Sequence, residues 1–414
     1  MCFKNGIVFW LIATLYFTGC NQTKPKDNKT KNEITEKRYV GSMLLDSNGT
    51  ILPFIIDVNY KNKTATLHNS NESITLITHS FTEDSMVFHF PVFDSKLVMI
   101  TENDENYSGY WYNGGRNNPY KLQVNFTSLK NQTEESSLNV DLTGSWDVIF
   151  SKGKTSEYPA VGIFEQKGTE LIGTFLTETG DYRFLSGTVT DDKFKLSCLD
   201  GSHAFLFEGV IYTDSLVGRF WSGAHYTDTW IAVKNEKAQL THPDSLTYVT
   251  SGEIQDIKLN IKDIDGNSIQ YPSTRFKGKV TIIQIMGTWC PNCKDESEYL
   301  STLYKEIGKE KLEIISIGFE AGTDVKKAEE RIRNLKNYLK TDYIFAYGGT
   351  ADKDEAAAMF PFLNHIMAFP TTIFIDKSGR IRKIHTGFYG PGTGKYYHDF
   401  ITSTDTFVRG LTNE

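Results

Sequence analysis

The chain has 414 residues, 39% hydrophobic, 13% aromatic and 23% charged, so it can bury large cores and wholesale disorder is excluded. Its 44 Lys and Arg against 51 Asp and Glu leave a formal charge of −7, and no long basic run offers a phosphate backbone a footprint, so no nucleic-acid partner is expected. At roughly 100–200 residues per domain the length suggests two or three domains. The five cysteines, Cys2, Cys20, Cys198, Cys290 and Cys293, are too few for a disulfide-stapled scaffold, which directs attention to the one close pair.

Lys4 precedes an apolar run over 6–19, shorter than the roughly 20 residues that span a bilayer. It reads as the core of a secretory signal occupying 1–19. The run ends Phe17-Thr18-Gly19-Cys20, which resembles a bacterial lipobox. That resemblance implies lipidation of Cys20, which becomes the new N-terminus and anchors the chain in the cell envelope, facing the periplasm. A plain cleaved signal is the alternative. Residues 20–38 are polar and lysine-rich, without the large apolar side chains a core needs, and read as a flexible tether.

From 39 to 240 apolar and polar residues alternate in short stretches broken by Gly, Asn and Asp, the pattern of antiparallel strands and hairpins without helices. Two similar meander blocks, 39–140 and 141–240, are suggested by internal matches: Gly41-Ser42 with Gly144-Ser145, Leu52-Pro53 with Tyr158-Pro159, and Gly109 with Gly218. The fold class expected is multidomain, an all-β N-terminal region of two such blocks followed by a C-terminal α/β domain over 245–414. Tyr107, Tyr110, Trp111, Tyr112, Trp221 and Tyr226 either fill the core of these blocks, the reading we favour, or line a binding face. Cys198 and His203 stand at a spacing that suits a soft metal, but no second cluster completes a ligand set, and no metal site is expected.

The run 279–286 is almost continuously apolar, the mark of a strand buried on both faces. It is followed by Gly287-Thr288-Trp289-Cys290-Pro291-Asn292-Cys293, a helical pattern over 295–307 and a second buried strand over 312–319. A C-x-x-C at a strand-to-helix junction places Cys290 where unsatisfied N–H groups and the helix dipole stabilise a thiolate. Pro291 suits the first helical turn. Cys293, three residues on, lies on the same side and can close a small ring with Cys290. A zinc half-site has the same spacing but lacks its second pair here. Amphipathic spacing predicts a further helix over 324–340, and a short one over 356–362. The glycine-rich stretch 390–395 departs from a phosphate loop at its first position, Tyr389, and is read as a loop.

The segment from Gly287 to Glu296, together with Phe369-Pro370-Thr371-Thr372-Ile373-Phe374-Ile375-Asp376 and Gly379, resembles the TlpA/ResA-like extracytoplasmic thiol-disulfide oxidoreductases of the thioredoxin superfamily. The resemblance implies a central mixed sheet with helices on both faces and a cis Pro370 opposite the cysteines. It implies Cys290 as attacking thiol and Cys293 as resolving thiol, forming the redox disulfide. It also implies that Trp289, Pro291, Phe369 and Pro370 make the surface that receives a partner's peptide. Glu296 matches a glutamate that relays a proton for Cys293, while Gln284 stands where thioredoxin has its buried aspartate. With no histidine between the cysteines, a reducing role is expected, on envelope proteins with disulfides or thiols, in cytochrome c maturation, recharged by a membrane electron donor and needing no bound cofactor. Two alternatives stand beside it. One is an envelope-binding β-rich half with an accessory redox domain; the other is a peroxiredoxin-like peroxide reductase, whose motif threonine is replaced by Gly287.

Overall fold

The computed structural model describes residues 35–103, 105–129, 140–250 and 257–414; the signal sequence and Cys20 lie outside the described residues. The first eight strands are β1 (Glu36–Leu44), β2 (Ile51–Asn59), β3 (Thr64–Asn69), β4 (Glu72–Phe81), β5 (Ser85–His89), β6 (Ser95–Asn103), β7 (Asn106–Asn113) and β8 (Tyr120–Ser128). They form a closed antiparallel barrel in which each strand pairs with the next and β1 with β8. Period-two alternation turns Leu52, Phe54, Ile56 and Val58 of β2 inward, onto a core containing Tyr39, Phe88, Trp111 and Phe126. β1 begins inside the stretch expected to be a tether, because Arg38 pairs with Asp57 on the neighbouring strand, Nη2 to Oδ2 at 2.7 Å.

The second run comprises β9 (Gly144–Phe150), β10 (Tyr158–Lys167), β11 (Glu170–Thr177), β12 (Gly180–Asp181), β13 (Leu185–Thr190), β14 (Lys193–Leu199), β15 (Ala204–Ile211), β16 (Ser215–Ser222) and β17 (Tyr226–Lys234). β9 pairs with both β10 and β17, and β10 with β11, so eight strands close a second ring; the two-residue β12 hangs on β11. Leu199, Ala204, Leu206 and Trp221 of this ring pack into the core of the first. Asn69 ties the two together through both the N–H and the C=O of Leu199. Of the aromatics expected in the core, Tyr107, Trp111 and Trp221 are buried, but Tyr110 and Tyr226 are exposed. In β7 the alternation that buries Trp111 turns its neighbour Tyr110 outward.

The C-terminal domain contains β18 (Leu259–Lys262), β19 (Ser268–Tyr271), β20 (Val280–Met286), α1 (Pro291–Ile307), β21 (Leu312–Glu320), α2 (Val325–Leu339), β22 (Ile344–Thr350), α3 (Lys353–Met359), β23 (Thr371–Ile375), β24 (Ile381–Thr386) and α4 (Lys395–Asn413). Its five-stranded sheet has the order β22-β21-β20-β23-β24, parallel among the first three and antiparallel beyond. Every residue of β20 is buried, as the apolar run predicts. Asp324 caps α2 through the N–H groups of Lys326 and Lys327. α3 starts three residues before the expected helix, because Asp352 caps it and Phe360 ends it. The stretch 390–395 makes a short 3₁₀ turn, Pro391–Thr393, and then opens α4, a helix the sequence reading did not identify. Its anchors Thr404, Val408 and Leu411 follow helical spacing and are buried.

Candidate active site

β20 delivers the chain to the N-terminus of α1, where Cys290 is the N-cap residue and Pro291 the first helical residue. The N–H of Cys293 points at Cys290 Sγ, 3.2 Å away. The two cysteines are joined as a disulfide, with Cα atoms 5.2 Å apart. Cys290 is 7% exposed and Cys293 wholly buried. The peptide bond between Phe369 and Pro370 is cis, and the Phe369 carbonyl oxygen lies 3.4 Å from Cys290 Sγ. Trp289 meets the Phe369 ring edge-on at 5.8 Å and donates its indole N–H to the Phe319 carbonyl at 2.9 Å. The expected residues Trp289, Cys290, Pro291, Cys293, Phe369 and Pro370 are thus brought together at one end of the sheet.

Behind the disulfide, Glu296 is 1% exposed. It accepts hydrogen bonds from Gln284 Nε2 at 2.8 Å and from Thr372 Oγ1 at 2.8 and 2.9 Å. Burial pushes its carboxyl up to about 7, against the opposing pull of those donors. Gln284 is itself held by the hydroxyls of Ser297 and Ser316, at 3.0 and 2.6 Å from its Oε1. Its Nε2 also lies 3.4 Å from the Cys293 carbonyl. The Gln284 amide therefore links the backbone of Cys293 to the carboxyl of Glu296.

Glu320, at the end of β21, was not identified from sequence. It accepts the N–H and hydroxyl of Thr288 at 2.8 and 2.6 Å and so fixes the approach to Trp289 and Cys290. The available signal was weak, because β21 carries a carboxylate at each end, Glu313 and Glu320, and only the structure shows that Glu313 meets Arg275 and Lys279 while Glu320 meets Thr288. Nor was the contact of the β-rich half with this site anticipated: Arg183 is bonded to Asp295, and Ser202 to the Trp289 carbonyl. Cys198 and His203 do not converge as ligands. Cys198 is buried in the core of the second ring, while His203 faces Asp200, Nδ1 to Oδ2 at 3.3 Å, and stacks on Phe205.

The redoxin family profile matches residues 250–395. The C-terminal region is a thioredoxin-like redoxin domain, related to the ResA group of thiol-disulfide oxidoreductases. Its relatives include the thioredoxin-like protein YneN of Bacillus subtilis, 29% identical over 111 residues, which are 27% of this chain and 58% of that protein. The thiol-disulfide oxidoreductase ResA of Geobacillus thermodenitrificans is 28% identical over 131 residues, 31% of this chain and 64% of that protein. The thiol:disulfide interchange protein DsbE of Vibrio cholerae is 28% identical, covering 31% and 62%. This chain thus spans roughly three-fifths of the length of these relatives. A DsbF homologue from Corynebacterium diphtheriae, a solved structure, aligns with 41% of this chain and 98% of its own at 17% identity and a TM-score of 0.31.

Proposed function

We propose that this protein is an extracytoplasmic thiol-disulfide oxidoreductase that reduces disulfides of envelope proteins, held to the membrane through Cys20. The observation that carries the reading is the Cys290–Cys293 disulfide at the N-terminus of α1, with the Phe369 carbonyl beside Cys290 Sγ. In the reduced protein, the Cys290 thiolate attacks one sulfur of the partner's disulfide. A Cys290–partner bond forms, the partner's S–S bond breaks, and its other sulfur leaves as thiolate. Glu296 then takes the Cys293 proton, and the Cys293 thiolate attacks Cys290 Sγ. The Cys290–Cys293 bond forms and the partner's second thiolate is released. Two electrons have passed to the partner, and a membrane donor restores the dithiol. Cytochrome c maturation is the setting we favour.

Reduced protein should reduce insulin, and Cys290→Ser should abolish that activity; full activity in the variant overturns the mechanism. Equilibration with glutathione tests direction: a potential as high as the roughly −120 mV of strong periplasmic oxidants reverses it.

A further inference from the structure

The two β rings press on the redox pair from outside its own domain. At the tip between β14 and β15, Ser202 gives its hydroxyl to the Trp289 carbonyl. Gly180, at φ 143°, lies so close to Asn292, between the two cysteines, that a Cβ there would stand 2.1 Å from Asn292 Nδ2. Cys290, Asn292 and Phe369 are 7, 9 and 8% exposed. The gap left beside Trp289, bounded by Phe93, Asp94, Gly201, Ser202 and Arg331, holds about 10 Å³, no more than one water needs. The seated rings thus close the space beside Trp289 and against Asn292, the two neighbours of the exchange site.

What seats them is charge. Arg183 is 3% exposed and adopts φ 67°, a left-handed conformation that a non-glycine residue keeps only where its surroundings over-determine it. Its guanidinium bonds Asp295 on α1 and, at 3.0 Å, Glu72 on β4; its Nε stands 3.6 Å from Asp200. Asp181 accepts the Arg183 N–H at 2.6 Å with one oxygen and the Gly390 N–H at 2.6 Å with the other. A second grip lies on α2, where Arg331 reaches Asp94 at 2.8 Å and the Gly114 carbonyl at 2.9 Å.

The apolar packing is distributed otherwise. The two rings share a core, through Leu199, Leu206 and Trp221, whereas Val92 alone, among the described residues of the rings, packs against the core of the redoxin domain. One small patch crosses elsewhere, Val161 and Leu176 with Tyr389 and Tyr396. Buried ion pairs come close to break-even against water, because both partners regain hydration on separation, and polar domain interfaces are the mobile kind.

We propose that the paired rings are a releasable cover on the redox pair, latched through Arg183 and Asp94, which must lift before a protein disulfide reaches Cys290. The proposal deepens the exchange reading and rests on it, but its test does not need exchange to occur. The full chain is reduced and labelled with either N-ethylmaleimide or a maleimide carrying a long polyethylene glycol chain, and modification of Cys290 and Cys198 is followed by peptide mass spectrometry. In the native chain the bulky reagent should discriminate against Cys290 far more than it does in urea. Arg183→Gln and Asp94→Asn should each raise bulky labelling of Cys290 on the order of tenfold by populating the open form, with Cys198 still protected. Cys198, buried in the second ring, reports unfolding; if Arg183→Gln unfolds, Asp94→Asn decides. Native labelling as free as in urea, or no acceleration in a folded variant, or acceleration matched by Cys198, overturns the cover. Gated labelling in a protein that never reduces insulin sinks the exchange reading instead.

Discussion

Gln284 Nε2 donates to Glu296 Oε2 at 2.8 Å, joining a residue in the middle of β20 to one on the second turn of α1. The bond stabilises the ionised carboxylate, yet burial outweighs it and holds the group at about 7. The resolving step should therefore accelerate as pH rises through about 7, where Glu296 becomes a base. Glu296→Gln should lose that inflection and slow the step roughly a hundredfold. Gln284→Leu, which removes one stabilising donor, should move the inflection upward. Stopped-flow decay of a preformed mixed disulfide with Cys290 reads all three.

The same group makes stability depend on pH. Its folded value of about 7 lies above the ordinary 4.5, so between those values the folded state binds the extra proton and stability falls as pH rises. The contribution is complete below the ordinary value and lost through about 7, with a span of about 3 kcal/mol. Urea unfolding across this window should show that decline in the wild type and a flatter profile in Glu296→Gln.

In the proposed exchange, Cys293→Ser removes the nucleophile that releases the partner. Mixed disulfides through Cys290 should accumulate in the native envelope and be recoverable by mass spectrometry, where they identify the substrates. Complexes formed through Cys198 with none through Cys290 would relocate the site to the β-rich half.

Glu320→Ala leaves the buried Thr288 N–H and hydroxyl without their acceptor. The expected loss is about 1–3 kcal/mol, measured by urea unfolding, and Glu320→Gln, which keeps an acceptor, should lose less.

Trp111 and Tyr110 are adjacent on β7 and point oppositely. Trp111→Ala should cost about 3–5 kcal/mol, whereas Tyr110→Ala should change stability by no more than about 0.5 kcal/mol. Equal effects would contradict the alternation of the barrel wall.

What the sequence made legible was local. The double-sided apolar run announced β20, the C-x-x-C marked the head of α1, amphipathic spacing marked α2, and period-two alternation drew the barrel strands. Contacts between distant segments left no such mark: Arg183 meets Asp295 across 112 positions, and neither neighbourhood hints at the other. α3 was misplaced because Ala356 to Phe362 carry the apolar residues while the polar Asp352 starts the helix. α4 was missed because its opening, Gly394-Lys395-Tyr396, reads as loop and its buried stripe is sparse.

Ring closure also bears on how safely such a β-rich chain exists. An open sheet ends in a row of unpaired N–H and C=O groups that template aggregation, but the first barrel has no terminal strand and the second ring joins β10 to β11. In the five-stranded sheet, the outer side of β22 is met by a bridge from Asp263 to Ala346 and by the Ile264 N–H on the Phe345 carbonyl. Among the described residues, both rings and the β22 side of the five-stranded sheet thus offer few unpaired backbone groups to neighbouring molecules, which lowers the aggregation hazard that so many antiparallel strands would otherwise carry.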